Sequence, residues 1–282
     1  MSDRVFSFRW DIDHRACITD GLPKILKVCD ELGVKNTFFI NMGKSTNLRE
    51  WLGKGLRGSR AKMNDMDAIH LIKKIGWPRF GLETVLGRPV GASLIKPLEE
   101  TQRRGHELGL HGGSDHVVWS RRFAQLPEEV LKADVEETLT SYQRHFGKPV
   151  GFTCPGFKCD ERSTRIVEEL GFRYDGDAIG GEPHRARVSG KPVKHWTIPV
   201  DLIGPRTIPL IEWHGAHGTA EEEIVDDILE RMENKNWVVL YGHPCYEGVR
   251  DGLLRKIFVA VQKAGYRFLT HAQMAERLDA AA

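Results

Sequence analysis

Strand-like and helix-like segments alternate along most of this chain, and that alternation is what most limits its fold. The runs Val5-Phe6-Ser7-Phe8-Arg9-Trp10, Thr37-Phe38-Phe39-Ile40, Glu107-Leu108-Gly109-Leu110-His111 and Phe172-Arg173-Tyr174-Asp175 read as strands. So do Trp237-Val238-Val239-Leu240-Tyr241 and Tyr266-Arg267-Phe268-Leu269, while Val150-Gly151-Phe152 leads into a loop at Cys154-Pro155-Gly156. Between them lie stretches with helical patterning. Residues 20–32 begin at a possible cap, Asp20, and stop at Gly33; 93–105 end at Gly105; 127–147 open at Pro127 and close at Gly147. Residues 160–170, 219–234 and 250–264 complete the set. Strands that alternate with helices over short connections build a mainly parallel sheet covered by helices, the α/β class. At 282 residues the chain is within the size of a single α/β barrel. No repeat, low-complexity tract or linker divides it, so residues 1–282 are expected to form one domain.

Residues 44–92 break the alternation and read as an insertion between the second strand and the next core helix. The segment carries Trp51, Leu52 and Leu56, then Ile69, Leu71, Ile72, Ile75 and Trp77. Lys54, Arg57, Arg60, Lys62, Lys73, Lys74 and Arg79 are interleaved with them. Two readings stand side by side: a helical cap packed on the core, or a lid that also touches an anionic membrane surface.

Composition narrows the function. A net charge of +2, with no basic run longer than two residues, argues against a nucleic-acid partner. Five scattered cysteines do not make a disulfide framework and suggest a reducing compartment. Cys154 and Cys159 have the look of half a zinc site, but no second pair completes it. The start of the chain shows no apolar signal segment, and no stretch reaches the roughly 18–20 apolar residues of a membrane span. A cytoplasmic protein is expected.

The chemistry-bearing residues follow predicted strands. Asp11-Ile12-Asp13-His14 ends the first, His111 ends the third with His116 in the Gly-rich loop behind it, and His243 follows the strand ending at Tyr241. The carboxyl ends of parallel strands are where α/β sites lie. One carboxylate and two imidazoles can hold a divalent metal while leaving a position for water, and a second carboxylate can act as base. For both aspartates to reach one site, the strand is expected to end at Asp11 and the chain to turn there. His14 would be a ligand or a supporting side chain. His243, with an ordinary pKa near 6.5, is placed to protonate a leaving group.

Together these residues resemble the polysaccharide deacetylases, the NodB-homology carbohydrate esterases. The first motif of that family is an Asp pair, matched by Asp11 and Asp13; the second supplies two histidines, matched by His111 and His116. Its late strand ending in a histidine is matched by Val238-Val239-Leu240-Tyr241-Gly242-His243. The chain is most similar to the branch that deformylates undecaprenyl-phosphate-linked 4-deoxy-4-formamido-L-arabinose. That likeness rests on Arg9-Trp10-Asp11-Ile12-Asp13, Thr37 to Gly43, Glu107 to His111, Trp119, Gly156-Phe157-Lys158, Tyr174 to Asp177, Ile198-Pro199-Val200 and Glu247-Gly248. The resemblance implies a distorted (β/α) barrel of about seven strands. It implies one divalent metal ion (zinc, cobalt, nickel or manganese) held by Asp13, His111 and His116, with Asp11 as base and His243 as acid. Trp119, Asp177, Glu247 and Asp115 would face the substrate.

There are three departures from the family pattern. The two histidines are five residues apart instead of four, which puts Asp115 at the usual spacing; either it or His116 could be the third ligand, and two glycines favour His116. The family's Arg-x-Pro motif keeps only Pro155, so Lys158 would supply the positive charge. The insertion has its own sequence. The expected reaction is removal of an N-formyl or N-acetyl group from an amino sugar, the resemblance implying one linked to a lipid at the cytoplasmic face of a membrane. Deacylation of another N-acyl sugar or glycolipid is the first alternative, and hydrolysis of a cyclic ureide such as allantoin the second. A member that binds carbohydrate or lipid without turnover would be expected to lack Asp11 or His243, and both are present.

Overall fold

The computed structural model describes residues 4–46 and 76–282. Its sheet is built from β1 (Val5–Ile12), β2 (Thr37–Ile40), β3 (Glu107–His111), β4 (Gly151–Thr153) and β5 (Tyr174–Asp175). The outlying hairpin β6 (Arg187–Val188) and β7 (Lys191–Pro192) follows, then β8 (Trp196–Thr197), β9 (Trp237–Gly242) and β10 (Arg267–Phe268). Seven parallel strands run in the order β9-β1-β2-β3-β4-β5-β8, and a parallel bridge between Leu202 and Leu240 brings the segment after β8 back toward β9. The result is an open (β/α) barrel, as expected. β9 occupies one edge of β1 along Val5 to Trp10, so β10 and β2 share the other, β10 at Val5 and Phe6 and β2 from Arg9 onward.

Strand parity sorts the core into two layers. Phe6, Phe8, Trp10 and Ile12 of β1 lie in the apolar layer between sheet and helices, each buried aromatic worth roughly 1.5–3 kcal/mol. The intervening Ser7, Arg9 and Asp11 point the other way, into a barrel interior lined by Phe39, Tyr174, Val239 and Tyr241. That interior is where the sequence places polar side chains on an otherwise apolar strand. All three are at most 2% exposed, so each requires a partner.

Helices cover the outside of the strands. α1 (Leu22–Leu32) ends at Gly33, whose φ of 66° is left-handed and suits glycine. A helix absent from the sequence reading, α2 (Trp77–Leu86), occupies the end of the insertion. α3 (Ile95–Arg103), α4 (His116–Arg122), α5 (Glu128–Phe146) and α6 (Glu161–Glu169) follow, then α7 (Leu210–Ala216), α8 (Glu221–Met232), α9 (Asp251–Lys263) and α10 (His271–Ala281). The membrane-contact reading falls largely on Trp51 to Ile75, outside the described residues. Among the described residues no helix is long and apolar enough to cross a membrane.

Candidate active site

β1 delivers the first part of the site. The strand runs on to Ile12 instead of ending at Asp11. Asp11 and Asp13 are two residues apart and so share a face without any turn; the expectation of a turn misapplied the period of a strand. Asp11 is 2% exposed, and its carboxylate is held by the Arg9 guanidinium, with Nε to Oδ1 at 2.9 Å and Nη2 to Oδ2 at 2.8 Å. Arg9 also donates to the carbonyl of Gly176. Its guanidinium carbon lies 4.6 Å from the Phe157 ring centroid and 5.2 Å from that of Tyr241. Burial opposes charge on Arg9, but the paired Asp11 outweighs it and holds the guanidinium protonated even more firmly than usual. This cation was missed from the sequence, although strand alternation alone puts position 9 beside position 11. Lys158, expected to supply the charge, is exposed, and the cation that meets Asp11 is Arg9.

Asp13 sits among three imidazoles. Its Oδ1 lies 3.2 Å from His111 Nε2 and 3.3 Å from His116 Nε2, and its Oδ2 lies 3.3 Å from His243 Nε2. Burial pushes the Asp13 carboxyl up, but the neighbouring imidazoles, the charge on His116 first, hold it well below the usual carboxylate range. His116 moves the opposite way: burial lowers it, and Asp13 raises it above the ordinary value. His111 is fixed by Thr153 at the end of β4, whose Oγ1 is 2.7 Å from His111 Nδ1. With Nδ1–H donating there, Nε2 keeps its lone pair toward Asp13.

The loop after β3 explains how two histidines five residues apart converge. Gly112 has φ 65°, and a Cβ on it would come within 2.4 Å of Pro155. A Cβ on Gly113 would overlap the Asp134 carboxylate, which accepts from the Ser114 backbone N–H at 3.0 Å. The chain then enters α4, with the Asp115 carboxylate as its N-cap, accepting from Val118 N at 3.0 Å. Of the two candidates for the third ligand, His116 faces Asp13 and Asp115 caps the helix.

These groups fit a divalent ion. Asp13, His111 and His116 each offer one ligand atom within 4.8 Å of the others. Asp13 Oδ1 and His116 Nε2 are buried and make no hydrogen bond. Ligands at about 2.0–2.1 Å from a tetrahedral centre stand roughly 3.3–3.4 Å apart, close to the separations of 3.2 and 3.3 Å found here.

His243 follows β9. Its Nδ1 lies 2.8 Å from Glu212 Oε1 on α7, and its backbone N–H donates to Glu247 Oε2 at 2.7 Å. These contacts turn Nε2 toward Asp13 and the Tyr241 hydroxyl, the latter at 3.1 Å. Glu212, His243 and Glu247 are themselves close enough to ligate an ion. Their direct hydrogen bonds instead describe an imidazole oriented by Glu212, on a backbone held by Glu247. Glu212 gave no usable signal in the sequence, because the helix carrying it is seven residues long.

The remaining expected residues are placed as follows. Asp177 is buried and accepts from Cys154 N at 2.7 Å, pinning the loop after β4. Burial, and then the neighbouring Asp175, push its carboxyl up to about 7. Trp119 is 1% exposed and packs against Phe123 and Phe152 at centroid distances of 5.7 and 6.2 Å, a core position. His14 lies 3.5 Å from Glu83 of α2, so the described end of the insertion abuts the site. Phe157, at φ 56°, holds a strained backbone that sets its ring against Arg9.

An open parallel barrel with an Asp-His-His cluster and a second, tethered aspartate at the strand ends has the layout of the NodB-type barrels. The chain belongs to the polysaccharide deacetylase family, whose model matches residues 3–174. It is 24% identical over 211 residues to a Shewanella sediminis protein described as "probable 4-deoxy-4-formamido-L-arabinose-phosphoundecaprenol deformylase"; the match covers 71% of this chain and 66% of that one. Among solved structures it is similar to a "probable polysaccharide deacetylase" of Pseudomonas aeruginosa, with TM-score 0.64, 15% identity and coverage of 98% and 90%. It is also similar to the allantoinase PuuE, with TM-score 0.63, 14% identity and coverage of 99% and 91%. At those identities the two structures speak for the fold alone.

Proposed function

We propose that this protein is a metal-dependent amidohydrolase that removes the N-acyl group, most simply formyl, from an amino sugar. The observation that carries this reading is the pairing of two aspartates at the end of β1, Asp13 facing three imidazoles and Asp11 held by Arg9. Asp13, His111 and His116 would hold one divalent ion, zinc, cobalt, nickel or manganese. When bound, such an ion polarises an amide carbonyl and makes water more acidic. Asp11, fixed by two hydrogen bonds from Arg9, takes the proton from the attacking water. His243 Nε2 gives a proton to the departing nitrogen while Glu212 holds the ring from Nδ1. Water and amide are converted to one carboxylic acid and one free amine.

The formamido-arabinose reading of the substrate, with its undecaprenyl-phosphate anchor, rests on the Shewanella relative. A lipid-linked head group would be met at the cytoplasmic face of a membrane, with the insertion as a peripheral contact. Incubation with N-formyl and N-acetyl amino sugars and with allantoin, followed by assay of formate, acetate and free amine, tests the reaction class. Release of carboxylate and amine in equal amounts is expected. Ring opening of allantoin without any N-deacylation would replace this reading with the ureide one. Flotation with anionic liposomes tests the membrane contact, which should weaken as salt rises.

A further inference from the structure

His243 shares the end of β9 with a phenol. Tyr241 precedes it by two residues on extended backbone, His243 itself having φ −116° and ψ 128°, so the two side chains share a face. Their ring centroids lie 5.3 Å apart, and the Tyr241 hydroxyl is 3.1 Å from His243 Nε2. Asp13 Oδ2 is 3.3 Å from that same nitrogen. The ring of Tyr241 is fixed on its other sides. It is 6% exposed, the Phe157 ring meets it at 5.2 Å and 87°, and the Arg9 guanidinium carbon lies 5.2 Å from its centroid. Burial, and then the charges of Asp11 and Asp13, push the phenol well above its ordinary pKa, so the hydroxyl is neutral. Among the described residues, His243 Nε2 is the hydrogen-bond partner of that hydroxyl.

A phenol hydroxyl has one proton to give and two lone pairs. Donating to a neutral Nε2 leaves it both lone pairs; accepting from a protonated Nε2 leaves it one. In either state the oxygen can accept a further hydrogen. An amide nitrogen that takes a proton from Nε2 must come within about 2.6–3.2 Å of it, and that brings the nitrogen beside the Tyr241 hydroxyl. A secondary amide carries one N–H there, and an ester oxygen carries none. We propose that the Tyr241 hydroxyl accepts a hydrogen bond from the N–H of the scissile amide, and so selects secondary amides over esters of the same acyl group. This rests on the proposed function, because it takes His243 as the group that meets the departing nitrogen. No bond to the hydroxyl forms or breaks. The contact turns the nitrogen toward Nε2, and a substrate without the N–H leaves a buried acceptor unpaired.

The test compares full-length wild type with Tyr241→Phe, which keeps the ring against Phe157 and Arg9. The probes are a methyl glycoside acylated on an amino group and the matching glycoside acylated on a hydroxyl at the same carbon. Each is prepared with formyl and with acetyl. The readout is kcat/KM for the amide divided by kcat/KM for the ester. That ratio should fall by about three- to tenfold in Tyr241→Phe, the worth of one neutral hydrogen bond. A merely structural hydroxyl would slow both probes alike and leave the ratio fixed. Tyr241→Leu also lacks the hydroxyl and should give the same fall, so a Tyr241→Phe chain that does not fold is not the end of the test. A ratio within about twofold of wild type in a folded variant refutes the inference and leaves the proposed function standing. Wild type that cleaves the esters and neither amide refutes the proposed function, and this inference with it.

Discussion

Arg9→Met should cost more than any surface substitution in this protein, and the structure gives the reason. Arg9 is 0% exposed and Asp11 is 2% exposed, joined by bonds of 2.9 and 2.8 Å. Removing one partner of a buried pair leaves a desolvated charge behind, which costs about 3–5 kcal/mol. For a domain of this size that corresponds to a fall in Tm on the order of 10 °C. The measurement is guanidinium chloride unfolding followed by circular dichroism, in the presence of chelator so that no bound cation replaces the guanidinium. Arg9→Met/Asp11→Asn should recover much of the loss, with a coupling energy on the order of 2–3 kcal/mol in the double-mutant cycle. Arg9→Lys keeps a charge but not the two-pronged geometry, so it should fold and lose turnover by roughly ten- to a hundredfold as Asp11 loses its fixed orientation. A loss below about 1 kcal/mol for Arg9→Met, or no coupling with Asp11→Asn, would refute the claim that this pair replaces the missing Arg-x-Pro cation.

The other predictions concern single groups. Asp11→Asn should keep its metal and lose about 100- to 10,000-fold in kcat; a variant above about a tenth of wild-type kcat removes Asp11 as base. His243→Gln should fold normally and lose kcat rather than substrate binding, and an unchanged basic limb of the pH–rate profile would return His243 to a structural role. His116→Ala should strip the metal while Asp115→Ala keeps it and loses a helix cap worth about 1 kcal/mol; the reverse pattern makes Asp115 the ligand. Burial, and then the charge of Lys35, lower His106 to about 4. The unfolded chain therefore takes up that proton first as pH falls. The stability is present in full above about 6.5 and is lost toward 4, by up to about 3 kcal/mol. His106→Asn should flatten the pH dependence of the unfolding midpoint over that window, and an unaltered slope counts against it.

Much of this molecule was legible in the sequence, because strand and helix periods are local. β1 to β5, β9, β10, α1, α3, α5, α6, α8 and α9 fall within a few residues of their expected bounds, whereas α2, α4, α7 and β6 to β8 had none. The aspartates and histidines were recognisable because each follows an apolar run. What escaped depended on contacts between distant segments or on short elements. α10 was missed although Thr270 and Gln273 form a capping box at its start. Glu212 and Thr153 become meaningful only once α7 and β4 are folded against His243 and His111. Arg9 is the instructive case: it stood two residues from Asp11, on the same strand face, and was overlooked in favour of Lys158 because the family's own cation comes from a later motif.

Metal content tests the central claim most directly. Protein stripped with chelator and dialysed against one divalent ion at a time should bind one ion per chain and then release carboxylate from an N-formyl or N-acetyl amino sugar. Asp13→Ala and His111→Ala should bind none, while Asp11→Asn binds one and does not turn over. Wild-type protein that binds no divalent ion, or Asp13→Ala that binds as well as wild type, would contradict the assignment.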